Sequence, residues 1–145
     1  MKFSTAFKIL LCVLLLLVLA ALAYGQTTAY REYRGVRLGM TATEARAKLG
    51  TAVMKSDDQD FYVFSANEST QVMYNAAQKV IMISTDYTNG VGAPDYRTVV
   101  GERILQKPDG SLFSMVRNDT ERFWVSYNKS TTVVPVVTIT LGAYK

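Results

Sequence analysis

Four short motifs hold the residue types and spacings that reaction chemistry would need. Ser126-Tyr127-Asn128-Lys129 has the S-x-x-K spacing of penicillin-recognising enzymes, in which the lysine must stand beside the serine on one helical face. The residues around it alternate as in a strand, where positions i and i+3 point to opposite faces, and no Ser-Asp-Asn or Lys-Thr-Gly accompanies the pair. Asp57-Asp58-Gln59-Asp60 offers carboxylates to calcium. An EF-hand loop counted from Asp57 or Asp58 lacks the glycine required at its sixth position, so these residues read as a solvated hairpin tip. Gly90-Val91-Gly92 lacks the later glycine and the strand-to-helix setting of a dinucleotide fingerprint and reads as a connector. Asn67, Asn118 and Asn128 open N-x-S/T sequons at expected turns, and would carry glycans only in a eukaryotic secretory pathway.

The rest of the composition narrows the chemistry further. Histidine is absent, which excludes the Ser-His-Asp triad, the Cys-His pair and the His-ligated zinc site together. The single cysteine, Cys12, excludes an internal disulfide framework and any CxxC motif. No metal, cofactor or catalytic set is therefore expected. The reading is non-enzymatic, with a hydrolase that works without histidine as the weakest alternative.

At 145 residues the chain suits one domain. Its opening residues differ from the remainder. Lys2 and Lys8 form a positive region, Ile9 through Ala23 is unbroken apolar sequence, and Ala21-Leu22-Ala23 and Ala23-Tyr24-Gly25 supply small residues at peptidase positions. This predicts a signal peptide over 1–25, cut after Gly25 or alternatively after Ala23, and a periplasmic or secreted domain over 26–145. The rival expectation is a retained anchor that associates the protein with the membrane, although the run falls short of the ~20 residues a spanning helix needs. Residues 26–145 hold fourteen Lys/Arg and twelve Asp/Glu, a net charge of +2 with the signs interspersed. Nucleic-acid binding needs clustered cations, and that partner class is set aside.

The elements that must position any site come from an internal similarity. A shift of 51 residues places Gly39 on Gly90, Ala42 on Ala93, Arg46 on Arg97, Gly50 on Gly101, Asp58 on Asp109 and Asn67 on Asn118. It also places Tyr62 on Phe113 and Phe64 on Met115. Each copy opens with a short helix. Thr41-x-x-Glu44 is a capping box, Ala42, Ala45 and Leu49 recur at helical spacing, and Gly50 ends the helix. In the second copy Pro94 fits the first turn, Asp95 favours the dipole's positive end and Gly101 terminates. Alternation predicts strands over 52–55, 60–65, 70–75 and 79–87, then 103–106, 111–117, 121–128 and 133–141. Pro135 argues for an edge or a bulge in the last of these. The expected architecture is α+β and two-layered: a largely antiparallel sheet with two short helices on one face, built from repeats at about 36–87 and 90–141.

Gly35-Val36-Arg37-Leu38-Gly39-Met40-Thr41-x-x-Glu44 with Leu49-Gly50 resembles the opening of the small outer-membrane assembly lipoproteins of the BamE (SmpA/OmlA) type. The duplicated helix-plus-strands plan is also similar to the tandem repeats of β-lactamase inhibitor proteins. The chain departs from the first family in lacking a lipobox cysteine, in having Thr51 where proline usually follows Leu-Gly, and in carrying two copies. The resemblance implies the fold and export to the bacterial envelope.

Counting cover gives the functional expectation. Phe123, Val125 and Tyr127 share one strand face, and Val137, Ile139 and Leu141 share another. These all-apolar sets should meet the helices, which are too short to cover both sides of a wide sheet. The mixed sets should face away. They hold Trp124 and, by correspondence between copies, Tyr62, Phe64, Met73, Phe113 and Met115, with Arg117 and Arg122 nearby. Aromatic, methionine and arginine side chains on an open sheet have the composition of a protein-binding hot spot, and the competing reading is that cross-strand register or segment 26–38 covers them. The expected function is an exported, non-catalytic module binding an envelope protein; the alternative is an envelope protein binding a small apolar ligand or lipid in a groove.

Overall fold

The computed structural model describes residues 30–144; the predicted signal peptide with its cleavage sites, and Cys12, lie outside the described residues. Among the described residues no helix is long and apolar enough to cross a membrane.

Helix α1 spans Ala42–Leu49 and starts as its capping box requires. The Thr41 hydroxyl accepts the Glu44 N–H at 3.1 Å while the Glu44 carboxylate accepts the Thr41 N–H at 2.7 Å. Ala42, Ala45 and Leu49 form its buried stripe, and Gly50 closes it at a φ of 82° that favours glycine. Helix α2 spans only Tyr96–Val100. Its cap is Asp95, whose carboxylate accepts the Arg97 N–H at 2.8 Å, so Pro94 stands before the cap and not in the first turn. A cap that accepts N–H groups decides the start more firmly than proline's tolerance for it.

The strands are β1 (Met54–Lys55), β2 (Gln59–Ser65), β3 (Glu68–Tyr74), β4 (Val80–Thr88), β5 (Leu105–Gln106), β6 (Leu112–Asn118), β7 (Phe123–Lys129) and β8 (Val136–Ala143). They form one antiparallel sheet in the order β1-β2-β3-β4-β8-β7-β6-β5. A helix and four strands occur twice along the chain, and the two final strands, β4 and β8, meet at the centre. Pro135 lies just before β8, and β8 is interior. An interior strand needs every N–H for its two neighbours, so the proline is left in the preceding loop, where it disturbs no pairing.

One face of the sheet carries the core. Tyr62, Val72, Ile83, Val125, Ile139 and Leu141 are all buried there. Arg46 of α1 reaches Asp60 and lies over the Tyr74 ring, and Tyr96 of α2 meets Tyr127 edge-on, so both helices pack on this inner face. A third piece of cover has no helix or strand of its own. Segment 30–40 makes a tight Tyr33–Val36 bridge, buries both residues, and runs on to donate the Gly39 N–H to the Val80 carbonyl at 2.8 Å.

Candidate functional site

Segment 30–40 closes part of the inner face with a polar and aromatic network. The Tyr33 hydroxyl donates to Glu68 at 2.7 Å, Arg34 donates to the same carboxylate at 2.8 Å, and the Arg34 guanidinium lies 4.1 Å from the Phe64 ring centroid. Phe64 stacks in turn on Tyr62. Burial pushes the Glu68 carboxyl up, but the hydrogen bonds from Arg34 and Tyr33 outweigh it and hold the group below the usual carboxylate range.

This network corrects two of the candidate residues. Tyr62 is 0% exposed and Phe64 is packed against the core, so neither belongs to the open face. The two halves differ in loop length after their first strands. β5 follows β1 by 51 residues (Met54 to Leu105), yet the residues opposite them, Phe61 and Phe113, are 52 apart, a slip of one. Phe113 therefore corresponds to the outward Phe61, and Tyr62 to the inward Ser114. An odd slip in a strand moves every side chain to the other face.

The acidic run 57–60 is likewise not one cluster. Asp58 accepts from the Ser56 hydroxyl at 2.6 Å in the turn, as a hairpin tip should, but Asp60 turns inward and is 0% exposed. Arg46 donates to its two oxygens from Nε at 2.8 Å and Nη2 at 3.0 Å, and the Tyr74 and Tyr62 hydroxyls donate at 2.7 and 3.2 Å. Burial pushes the Asp60 carboxyl up, and the Arg46 and Tyr74 hydrogen bonds bring it net down. Burial, then the neighbouring Asp60 charge, raises the Tyr62 phenol to about 12. Three donors meet Oδ2 and one meets Oδ1, and with the residue fully buried this carboxylate serves to hold α1 on the sheet.

Among the described residues no helix lies over the other sheet face. Five candidates stand on it: Met73, Phe113, Met115, Arg117 and Trp124. Strand pairing draws one row across the sheet as Gln59–Met73–Met82–Gly142–Trp124–Arg117. Met115 and Phe113 fall in the next two rows, opposite Ser126 and Asn128, and are 43% and 38% exposed. Arg122 lies in the β6–β7 turn at a φ of 56° and is not on this face. Met82 and Gly142 were not among the candidates. Alternation along β4 pointed to Met82, but only cross-strand register sets Gly142 under Trp124.

Six charged residues occur in the strands. Lys55, Glu68 and Lys129 pair with the inward-facing Asp60, Tyr87 and Val137, leaving only Asp86 and Arg117 on the open face. Asp86 accepts from Thr138 at 2.6 Å. Ser84 and Thr140, which hydrogen-bond to each other at 3.0 Å, sit at the centre of that face. It is a neutral field of hydroxyls with apolar flanks at Val63, Met54, Leu105 and Phe113.

A separate groove opens where segment 30–40 meets the ends of β7 and β8. Its volume is about 750 Å³; Leu38, Phe123, Leu141 and Ala143 make an apolar floor, and the rim is Arg31 paired with Glu121 and Arg37 paired with Glu32. Arg122 stands on this rim. Ser126 points outward and Lys129 pairs with Val137 on the inner face, so the S-x-x-K residues are held apart.

Compared with known proteins, the chain matches no family model, no curated protein and no solved structure.

Proposed function

We propose that the chain is an exported, non-catalytic interaction module of the bacterial cell envelope that binds a protein partner through the open face of its sheet. The observation that carries this reading is the make-up of that face. It holds Trp124, Met73, Met82, Met115 and Phe113 with only two charged strand residues, and interface cores are depleted in charge and enriched in aromatic residues and methionine. The BamE-like opening around Gly39-Met40-Thr41 and the twice-used order of helix and four strands, similar to β-lactamase inhibitor proteins, support export and a duplicated plan. The test is affinity capture from envelope extracts with the wild-type domain and Trp124→Ala side by side. Partner recovery should fall sharply, while unfolding stability changes by about 1 kcal/mol or less, the scale of a half-buried cross-strand pair. A loss of several kcal/mol would put Trp124 in the core and remove the reading.

The groove favours a second reading, a small apolar ligand or lipid, because about 750 Å³ falls within the size of ligand pockets. Under that reading a fluorescent fatty-acid analogue binds the wild-type domain, and Phe123→Arg abolishes its binding.

A further inference from the structure

Gly142 lies beside Trp124 in the sheet, on β8 where it pairs with β7. A Cβ on Gly142 would lie 2.7 Å from the indole Nε1 and closer still to Cε2 and Cζ2. The indole therefore lies across β8, directly over the Gly142 backbone. Gly142 does not have the positive φ found at Gly50 or Gly101, so its backbone accepts any residue. What the position needs is the absent side chain, since any Cβ there would push the ring off the sheet. One indole face is thus pressed on the strand and the other is turned outward, with Met82 on the far side of Gly142. A ring held this way loses little freedom on binding.

Arg117 is the direct neighbour of Trp124 on β6. Arg31, Arg34, Arg37, Arg46 and Arg97 are each in an ion pair, whereas Arg117 has none among the described residues. The other charge on the open face, Asp86, lies two rows away and is held by Thr138. Arg117 is thus the strand charge in the indole's own row, and a guanidinium beside an apolar plate suits a carboxylate joined to an apolar group.

We propose that Gly142, Trp124 and Arg117 form one preorganised subsite that takes a protein segment bearing an Asp or Glu side chain next to an apolar one. This rests on the open-face reading and adds the chemistry of the partner. Gly142 is the positioning residue, Trp124 the plate and Arg117 the charge that selects.

Trp124 is the chain's one tryptophan, so its fluorescence reports the subsite directly. At matched ionic strength, the iodide-to-caesium quenching ratio, normalised to that of free N-acetyltryptophanamide, should be about three, because a local cation concentrates the anion. Arg117→Gln should bring the ratio close to one, and Gly142→Ala should raise quenching by both ions as the ring lifts. A normalised ratio near one in the wild type overturns the proposal. A phage-displayed random peptide library selected on the wild-type domain supplies the second arm. Selected peptides should be enriched in Asp or Glu beside an apolar residue and should bind Arg117→Gln and Gly142→Ala about tenfold more weakly, or about 1.4 kcal/mol. Peptides that need Trp124 but bind Arg117→Gln unchanged overturn the subsite and leave the open-face reading standing. Peptides indifferent to Trp124→Ala overturn both. If no peptide is recovered, the quenching ratio decides.

Discussion

Arg46 and Arg97 occupy the same place in their helices, each with its carbonyl accepting the N–H of the closing glycine, Gly50 or Gly101. Their surroundings differ. Arg46 is clamped on the buried Asp60 among two tyrosine hydroxyls. Arg97 is 54% exposed, lies over its neighbour Tyr96, and makes ion pairs with Asp95 and Glu102 that face water. Lys55 pairs with Asp60 in the first half, and Gln106 pairs with Leu112 in the second, so an aliphatic side chain takes the carboxylate's place. The two halves close the same layer by different means. One uses a polar network that fixes the angle of its helix, and the other uses apolar packing under a shorter helix. A buried ion pair of this kind sets geometry more than it adds stability, because desolvation offsets much of the attraction.

Separating the halves should have the largest effect. A chain ending at Thr88 keeps all of the first half but loses β8, which covers β4 along its length. Its described part, residues 30–88, is about sixty residues long and near the limit for a single core, and it should lose cooperative unfolding in calorimetry. A melt as sharp as that of the full chain would show two independent domains.

Asp60→Asn comes next. It leaves Arg46 and two hydroxyls facing a poorer acceptor and should cost about 3 kcal/mol in urea unfolding. The same residue gives a pH signature. Its folded carboxyl titrates below its unfolded value, as does that of Glu68, so the stability they contribute is present above about pH 4 and is lost as pH falls through the folded values. Asp60→Asn should flatten that acid limb, and an unchanged limb would show that Asp60 does not drive it.

Giving the first half the second half's solution, as Arg46→Met with Asp60→Leu, should cost about 1–2 kcal/mol less than Asp60→Asn alone. A double variant as unstable as the single one would mean that the network is needed for stability itself. The smallest effect belongs to Arg97→Ala, expected to stay within about 0.5 kcal/mol because its ion pairs are exposed. A larger loss would make the two arginines equivalent after all.

Most of the strands and both helix stops could be read from the chain, because alternation, the capping box and the two glycines are local signals. The faces of β2 and β6 could not be read by comparing one with the other, since the lengthened loops after β5 shift the correspondence without changing the alternation. Asp60 was hidden for a different reason: its partner Arg46 lies on another element, and a carboxylate beside Asp57 and Asp58 looks solvated until the turn is known. Cover from the segment before α1 could be raised from the sequence, but not that it buries Tyr62 and Phe64 alone of the candidates, because Tyr33 and Val36 are held by a tight bridge with no periodicity. On the candidate face, Trp124 and Arg117 were visible as residues, but Gly142 becomes meaningful only once register places it under the ring.

The central pairing of β4 with β8 has a consequence for how the molecule comes into being. β4, at nine residues, is the longest strand, and its neighbour on one side is the last strand of the chain. On a nascent polypeptide the first four strands can assemble by neighbouring hairpins, while the bonding edge of β4 stays bare until the whole second half has been made. The finished sheet has blunt margins of two residues each in β1 and β5. The hazard of unwanted strand addition is therefore transient: it belongs to the interval of synthesis, at a site that the completed protein keeps in its interior.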